Sequence, residues 1–180
     1  MANNCCYNMI AVAPKKETLE RLIRIMNYED NEYFIFRCFS VSQENEIIFD
    51  KKSHLYSVNL QGDVAWSCSM WFEGKENKDE LIVIGREKDD RSKLIYGTAH
   101  YITLDLLCKK LDFGLEIFAE ECGCCFQEHH TVNHNGEHCG ESVEWREEWC
   151  DEDGNELYEP ISIGGFENYL NFDTCKMIYG

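Results

Sequence analysis

The chain has 180 residues and a formal net charge of −17 at pH 7, from 17 basic and 34 acidic residues. Its hydrophobic fraction of 44%, with 13% aromatic residues, is that of a globular protein and argues against intrinsic disorder. The length suits one domain with a proper core, so we expect a single domain over residues 1–180.

Membrane insertion and export are not expected from the sequence. It has no run approaching the roughly 20 apolar residues of a transmembrane helix. The opening MANNCCYNMIAVAP lacks the charged and apolar regions of an export signal. We therefore expect a cytoplasmic protein with no membrane partner. In that reducing compartment, the eleven cysteines are expected to be thiols or metal ligands rather than disulfides.

The negative charge is concentrated in residues 112–160, which we call the acidic segment. This segment contains fifteen acidic residues and one basic residue, Arg146, and so carries −14 of the net charge of −17. Direct binding of nucleic acid through it is not expected, because phosphate contacts need cations. Its charge favours a basic protein surface as the partner.

The first part of the chain predicts strands around one clear helix. Residues 5–13 end in an apolar run before Pro14 and predict a strand. Apolar residues at three- and four-residue spacing predict an amphipathic helix over 15–27. Aromatic and β-branched residues over 32–42, and alternation over 55–60, predict further strands.

The second part of the chain predicts a helix followed by antiparallel strands. Thr103 is the expected N-cap of a helix over 104–112. After Phe113 apolar and polar residues alternate, and the Asn135-Gly136 pair predicts a β-hairpin. A loop is expected over 150–160. The predicted fold class is thus α+β, a sandwich with two helices on one face of a mainly antiparallel sheet.

Cysteine and histidine are concentrated in residues 120–141. Cys122 and Cys125 form a C-x2-C pair of the kind that zinc sites use, and His134 and His138 form an H-x3-H pair. The two pairs are much closer together than in zinc fingers, and alternation along a strand sends neighbouring side chains to opposite faces. We therefore expect no metal or cofactor, with a zinc-stabilised interaction module on these four residues as the alternative.

Catalytic constellations are incomplete in the sequence. Cys124 and Cys125 have carboxylates as neighbours, whereas a nucleophilic thiol is activated by cations. Fifteen acids in about fifty residues make any single pair of carboxylates uninformative as an acid and base. The run 151–155 lacks the glycine and closing glutamate of a calcium loop. We expect a protein that is not an enzyme.

Three stretches resemble the YubB ferredoxin-like family of phages, plasmids and other mobile elements: MANNCCYNMIAVAP with the helix after it, GDVAWSC, and LEIFAEECGCCFQEHHTVNHNGE. The resemblance covers most of residues 1–140, and the spacing of Glu121, Gly123 and Phe126 is part of it. It implies a ferredoxin-like α+β sandwich and a mobile-element origin. It supplies no catalytic residue.

In its net charge and its implied origin, the chain is similar in character to the anti-CRISPR inhibitors. Several of these inhibitors present carboxylates at positions where a nuclease binds phosphates. The implied function is inhibition of a host nucleic-acid-handling enzyme, with Cas9 or a Cas9–guide RNA complex as the partner. The candidate contact residues are seven acids and two tryptophans: Glu144, Trp145, Glu147, Glu148, Trp149, Asp151, Glu152, Asp153 and Glu156. The tryptophans are candidate anchors, because large aromatics often dominate interface energy. The alternative is an acidic face that only maintains solubility, with both tryptophans in the core.

Overall fold

The computed structural model describes residues 4–35, 38–73, 82–86, 94–97, 99–172 and 175–180. Within these ranges, the strands are β1 (Asn4–Ala13), β2 (Tyr33–Phe34), β3 (Cys38–Gln43), β4 (Ile48–Asp50), β5 (Leu55–Ala65), β6 (Ile82–Arg86), β7 (Leu94–Gly97), β8 (His100–Tyr101), β9 (Gly114–Glu121), β10 (Phe126–Val132), β11 (His138–Cys150) and β12 (Glu156–Gly164). The helices are α1 (Lys16–Met26), α2 (Leu104–Leu111), α3 (Cys175–Tyr179) and a 3₁₀ helix (Cys68–Phe72).

Eight of these strands form one sheet, curled into a half-barrel, in the order β12-β11-β10-β9-β1-β5-β3, with β4 also paired to β5. Every pairing in this sheet is antiparallel. Two small pairs lie apart from it, the parallel β2–β8 and the antiparallel β6–β7. The predicted α+β class with a mainly antiparallel sheet is confirmed. None of the helices in the described ranges is long and apolar enough to cross a membrane.

The main core lies between one face of the sheet and the first two helices. Alternate side chains of β1, such as Tyr7 and Met9, belong to the same buried cluster as Leu22 of α1 and Leu107 of α2. Trp71 of the 3₁₀ helix is fully buried in this cluster, and its ring meets that of Tyr7 edge to face at 4.9 Å. The helices at the centre of the core are thus the two that periodicity predicts.

A third helix covers the opposite face. Gly114, at the start of β9, lies so close to α3 that any Cβ at this position would meet the carbonyl oxygen of Ile178. Its neighbour Leu115 belongs to the main core, so Gly114 points to the other side of the sheet. The predicted arrangement, with two helices on one face of the sheet, therefore accounts for α1 and α2 but not for α3, which packs on the other face.

The observed elements differ from the predicted ones mainly where the bounds of a strand depend on pairing with a segment that is distant in the sequence. The helix predicted over 15–27 is α1 (Lys16–Met26). The strand predicted over 32–42 is divided into β2 and β3, with residues 36 and 37 outside the described part of the chain. The loop predicted over 150–160 ends early, because β12 begins at Glu156 and pairs with β11.

Truncating one isoleucine in the sheet should show where the core ends. Ile117 at the centre of β9 is fully buried, whereas Ile161 of β12 is 51% exposed. We expect Ile117→Ala to lower the free energy of unfolding by about 2–5 kcal/mol, because it leaves a cavity in the core. The matched change Ile161→Ala should cost less than about 1 kcal/mol. Urea unfolding measures both, and equal losses would place β12 in the same core as β9.

Candidate functional site

The end of the acidic segment forms a two-stranded extension of the sheet. The pairing of β11 with β10 ends at Glu144, and from Trp145 onward β11 pairs with β12. We call this extension the acidic ribbon (residues 145–164). Because β12 is the edge strand, the ribbon lies at the margin of the sheet and most of its side chains are exposed.

The predicted acidic contact residues lie on or beside this ribbon. Five of them are exposed: Glu144, Glu147, Glu152, Asp153 and Glu156. Glu148 and Asp151 are half-buried. Arg146, the one base of the acidic segment, forms an ion pair with Glu148, with Nη2 and Oε1 2.7 Å apart. Since side chains alternate along a strand, Glu147 and Glu148 point to opposite faces of the ribbon.

The tip of the ribbon is an ordered turn built on Asp151. Its carboxylate accepts hydrogen bonds from the backbone N–H of Asp153 at 3.0 Å and of Asn155 at 2.8 Å. The side-chain amide of Asn155 donates to Oδ2 of the same carboxylate at 2.9 Å. These bonds, the Asn155 side chain first, lower the pKa of Asp151. The turn holds Glu152 and Asp153 toward solvent.

The two tryptophans have different environments. Trp145 is 7% exposed, and its ring is so close to Gly165 that a Cβ there would meet it at 2.8 Å. It belongs to the base of the ribbon rather than to a free surface. Trp149 is 53% exposed and lies where the register shifts between Glu148 and Cys150. Bulges of this kind re-aim a side chain, and Trp149 is the tryptophan available to a partner.

Apolar side chains of β12 add to this surface and were missed by sequence reasoning. Tyr158 is 97% exposed, Ile161 is 51% exposed and Ile163 is 39% exposed. They lie in a stretch that the sequence assigned partly to a loop. The β-branched run ISI after Pro160 was the signal that a strand continues there.

The four residues of the alternative zinc site do not come together. Cys122 and Cys125 are exposed in the turn between β9 and β10. His134 lies in the turn at the other end of β10, where its ring stacks on Tyr179, and His138 begins β11 beside that turn. The seven residues of β10 separate the two pairs by roughly 20 Å. One ion cannot bind all four residues in this fold.

The neighbouring histidines of β10 point to opposite faces of the sheet. His129 lies on the face covered by the C-terminal residues, with Nε2 2.8 Å from Oε1 of buried Glu116, and its ring stacks on Phe118 at 4.2 Å. The carboxylate of Glu116, and that of Glu141 after it, raise the pKa of His129. His130 is buried on the opposite face. The two histidines therefore belong to separate environments.

The exposed thiols of the β9–β10 turn are poor candidates for catalysis. Burial raises the pKa of Cys122, and the carboxylates of Glu120, Glu147 and Glu121 raise it further. A nucleophilic cysteine needs the opposite shift, toward the thiolate. The surroundings of this turn therefore do not support a cysteine nucleophile at Cys122.

We compared the chain with models of protein families, with curated proteins and with solved structures, and none of the three comparisons found a match. The resemblance to the YubB family therefore stays a prediction from the sequence.

Truncating each tryptophan should separate the base of the ribbon from its exposed surface. We expect Trp145→Ala to lower the free energy of unfolding by about 3 kcal/mol, because a nearly buried ring is lost. The matched change Trp149→Ala, four residues along the same strand, should change it by no more than about 0.5 kcal/mol. Urea unfolding followed by circular dichroism measures both. Equal effects would contradict the different burial of the two rings.

Replacing Asn155 should shift the titration of Asp151. In Asn155→Ala we expect the pKa of Asp151 to rise toward its ordinary value, because the side-chain donor is lost. The lowered pKa means that the turn is stabilised above the ordinary pKa of aspartate and loses this contribution as pH falls through the lowered value. NMR titration of the side-chain carboxyl measures the shift. Asp30 is the control, since Arg21 holds its pKa low against the effect of burial.

Proposed function

We propose that this chain is a non-enzymatic binding protein of a phage or other mobile element that inhibits a nucleic-acid-handling enzyme of the host. The acidic ribbon is the contact surface in this proposal. The observation that carries it is the position of the ribbon, whose carboxylates lie beyond the end of the β10–β11 pairing, beside the exposed Trp149. Its one base is already paired with Glu148.

The chemistry of the ribbon favours a basic protein surface as its partner. The carboxylates of the ribbon lie on both strands and on the turn that joins them, and together they give a negatively charged surface: Glu147, Glu148, Asp151, Glu152, Asp153, Glu156 and Glu159. Both faces of the ribbon carry such groups, since Glu147 and Glu148 point to opposite sides. Trp149 and Tyr158 add large exposed rings, the kind of residue that often contributes most to interface energy.

The partner that we propose is a CRISPR nuclease, specifically Cas9 or its guide RNA complex. Such an enzyme holds nucleic acid in basic channels and reads the flanking DNA motif with arginines. The exposed carboxylates of the ribbon are complementary in charge to such a surface. We place the action of the protein in the host cytoplasm, where these complexes act on invading DNA.

The order of four strands supports a ferredoxin-like core as part of this proposal. Strands β1, β3, β5 and β9 alternate with α1 and α2 along the chain in the pattern β-α-β-β-α-β. In the sheet they lie in the order β9-β1-β5-β3, all antiparallel. A split β-α-β arrangement of this kind is the ferredoxin-like motif. Strands β10, β11 and β12 extend it beyond β9, and the acidic ribbon is the end of this extension.

Charge reversal on the ribbon tests the proposed surface. We expect Glu147→Lys, Glu148→Lys, Asp151→Lys and Glu152→Lys together to abolish binding to a basic nuclease and inhibition of its DNA cleavage. The matched control reverses four exposed acids elsewhere: Glu29, Glu44, Glu46 and Glu73. Both variants change net charge equally, so only a local role of the ribbon predicts different outcomes.

The measurement is co-purification with a panel of Cas9–guide RNA complexes, followed by DNA cleavage at two salt concentrations. Circular dichroism confirms that each variant is folded. We expect binding of the wild-type protein to weaken as salt rises, because exposed charges are screened. Equal inhibition by the wild-type protein and the ribbon variant would refute the acidic-surface mechanism, and no binding to any complex would refute Cas9 as the partner.

A further inference from the structure

A cleft lies on the second face of the sheet, between the strands and the segment that follows β12. Its volume is about 400 Å³, which is within the range of small-molecule sites. The strands contribute Phe118 of β9, His129 of β10 and Glu141 of β11, which are direct neighbours across the sheet. Directly paired residues of antiparallel strands point to the same side, so the register brings these three side chains into one cleft.

A hydrogen-bonded pair of side chains forms the floor of the cleft. Glu116 is 2% exposed, and its Oε1 lies 2.8 Å from Nε2 of His129. The other ring nitrogen of His129, Nδ1, lies 3.4 Å from Oε1 of Glu141, whose side chain is 63% exposed. Because both nitrogens face carboxylates, the imidazole is held in one orientation. The charge of a protonated ring is balanced by Glu116, and the charge of Glu141 is left for a ligand.

The lining of the cleft is negatively charged. It contains three carboxylates, of which those of Glu141 and Glu167 are exposed. With one imidazole, these groups give a net charge of −2 when His129 is protonated and −3 when it is neutral. Among the described residues that line the cleft, none is a lysine or an arginine. The lining therefore repels phosphates and carboxylates and favours a cation.

Aromatic rings form a wall beside these carboxylates. His129 stacks on Phe118 at 4.2 Å, and Phe166 meets His129 edge to face at 5.9 Å. The edges of Phe166 and Tyr169 also meet the ring of Phe118, at 6.3 Å and 5.4 Å. Phe166 is half-buried and lines the cleft with the rest of its ring. An aromatic face next to carboxylates attracts an organic cation by its π electrons as well as by charge.

The segment that closes the cleft is held in place by its own hydrogen bonds. The backbone N–H of Phe166 donates to Oε1 of Gln127 at 3.0 Å, which fixes the segment to β10. The backbone N–H of Asn171 donates to the carbonyl oxygen of Asn168 at 2.9 Å. Both asparagines line the cleft, and an amide side chain offers a carbonyl oxygen as an acceptor. The cleft thus combines carboxylate and amide acceptors with an aromatic ring.

We propose that this cleft binds a small molecule that carries a guanidinium group. A guanidinium is a planar cation with several N–H donors in its plane, so it stacks on Phe166 while it donates to Glu141 and Glu167. An ammonium group is a compact and strongly hydrated charge that matches spread acceptors less well. A bare metal ion also fits less well, because Glu116 and Glu141 face the two nitrogens of one ring and stay apart across it.

This inference is independent of the proposed function. The acidic ribbon contributes none of the residues that line the cleft, and the test needs no nuclease. Binding of a guanidinium compound in the cleft and binding of a basic protein at the ribbon are separate events, so failure of one leaves the other standing.

The test titrates the 180-residue chain, without a histidine tag, with butylguanidine. Isothermal titration calorimetry should show one molecule bound per chain with a Kd of about 1 mM or lower, a value within reach of a ligand with so few atoms. Butylurea, the uncharged analogue of the same shape, should not bind, and butylamine should bind about fivefold more weakly. Because the bound cation repels the imidazolium, the pKa of His129 should fall on binding, as measured by NMR titration of its ring.

Two variants locate the site. Glu141→Gln together with Glu167→Gln should weaken binding of butylguanidine about fivefold, because two exposed carboxylates of the cleft are neutralised. Phe166→Leu retains an apolar side chain but removes the ring, and should weaken binding about threefold. The matched control, Glu29→Gln together with Glu44→Gln, makes the same change of charge at exposed positions outside the cleft and should leave the Kd unchanged.

Equal weakening by the control pair and by the cleft pair would overturn the proposal, because diffuse charge would then account for binding. Equal binding of butylurea or butylamine, or no saturable binding of butylguanidine, would also overturn it. Tighter binding of a capped arginine peptide than of butylguanidine would assign the cleft to a protein side chain instead of a small molecule. If circular dichroism shows that Phe166→Leu does not fold, the cleft pair decides, since both of its side chains are exposed.

Discussion

Three carboxylates buried against the sheet constrain much of the structure: Glu116, Glu121 and Glu128. Burying an ionised carboxylate costs several kcal/mol unless it gains partners. Glu116 lies within hydrogen-bond distance of His129, Glu121 accepts from the backbone N–H of Cys124, and Glu128 accepts from two hydroxyls and an amide at the 3₁₀ helix. His129 lies on β10, Cys124 lies in the turn before β10, and the partners of Glu128 lie at the 3₁₀ helix. These bonds therefore join β10 and its preceding turn to β9, and the 3₁₀ helix to β10.

The fold therefore divides the acidic residues into two populations. Those on β9 and β10 that point inward are part of the packing, and the strongest example is Glu128. Burial would raise its pKa, but the effects of His130 and of the hydroxyls of Ser67 and Ser69 prevail and lower the pKa to about 2. The acids of the ribbon are mostly solvated. Only this second population offers its charge to a partner, so net charge alone overstates the surface available for binding.

The charge of the ribbon also suits its place in the sheet. An edge strand with exposed apolar residues, such as Tyr158 and Ile161 of β12, offers unpaired backbone groups to another copy of the chain. Carboxylates on both strands of the ribbon repel a second copy while leaving a basic partner free to approach. The same charges thus serve solubility and the proposed binding, which are compatible roles for this surface.

The sequence by itself determined the elements whose signals are local. The spacing of Leu19, Leu22 and Met26 predicts α1, and Asn135-Gly136 predicts the turn of the β10–β11 hairpin, where Gly136 has a φ of +80°. Composition also located the acidic segment, since charge is counted without knowledge of contacts. These features depend on residues close in the chain, and for that reason the pattern suffices.

Only the tertiary structure decided which side chains meet. The register of β10 sends His129 and His130 to opposite faces, and a shift by one residue would exchange them. Trp145 is buried and Trp149 exposed because β11 changes partner between β10 and β12, which no local pattern records. Cys5 and Glu128 are separated by more than a hundred residues, and their approach follows from the order of strands in the sheet, a property of long-range pairing rather than of any stretch of sequence.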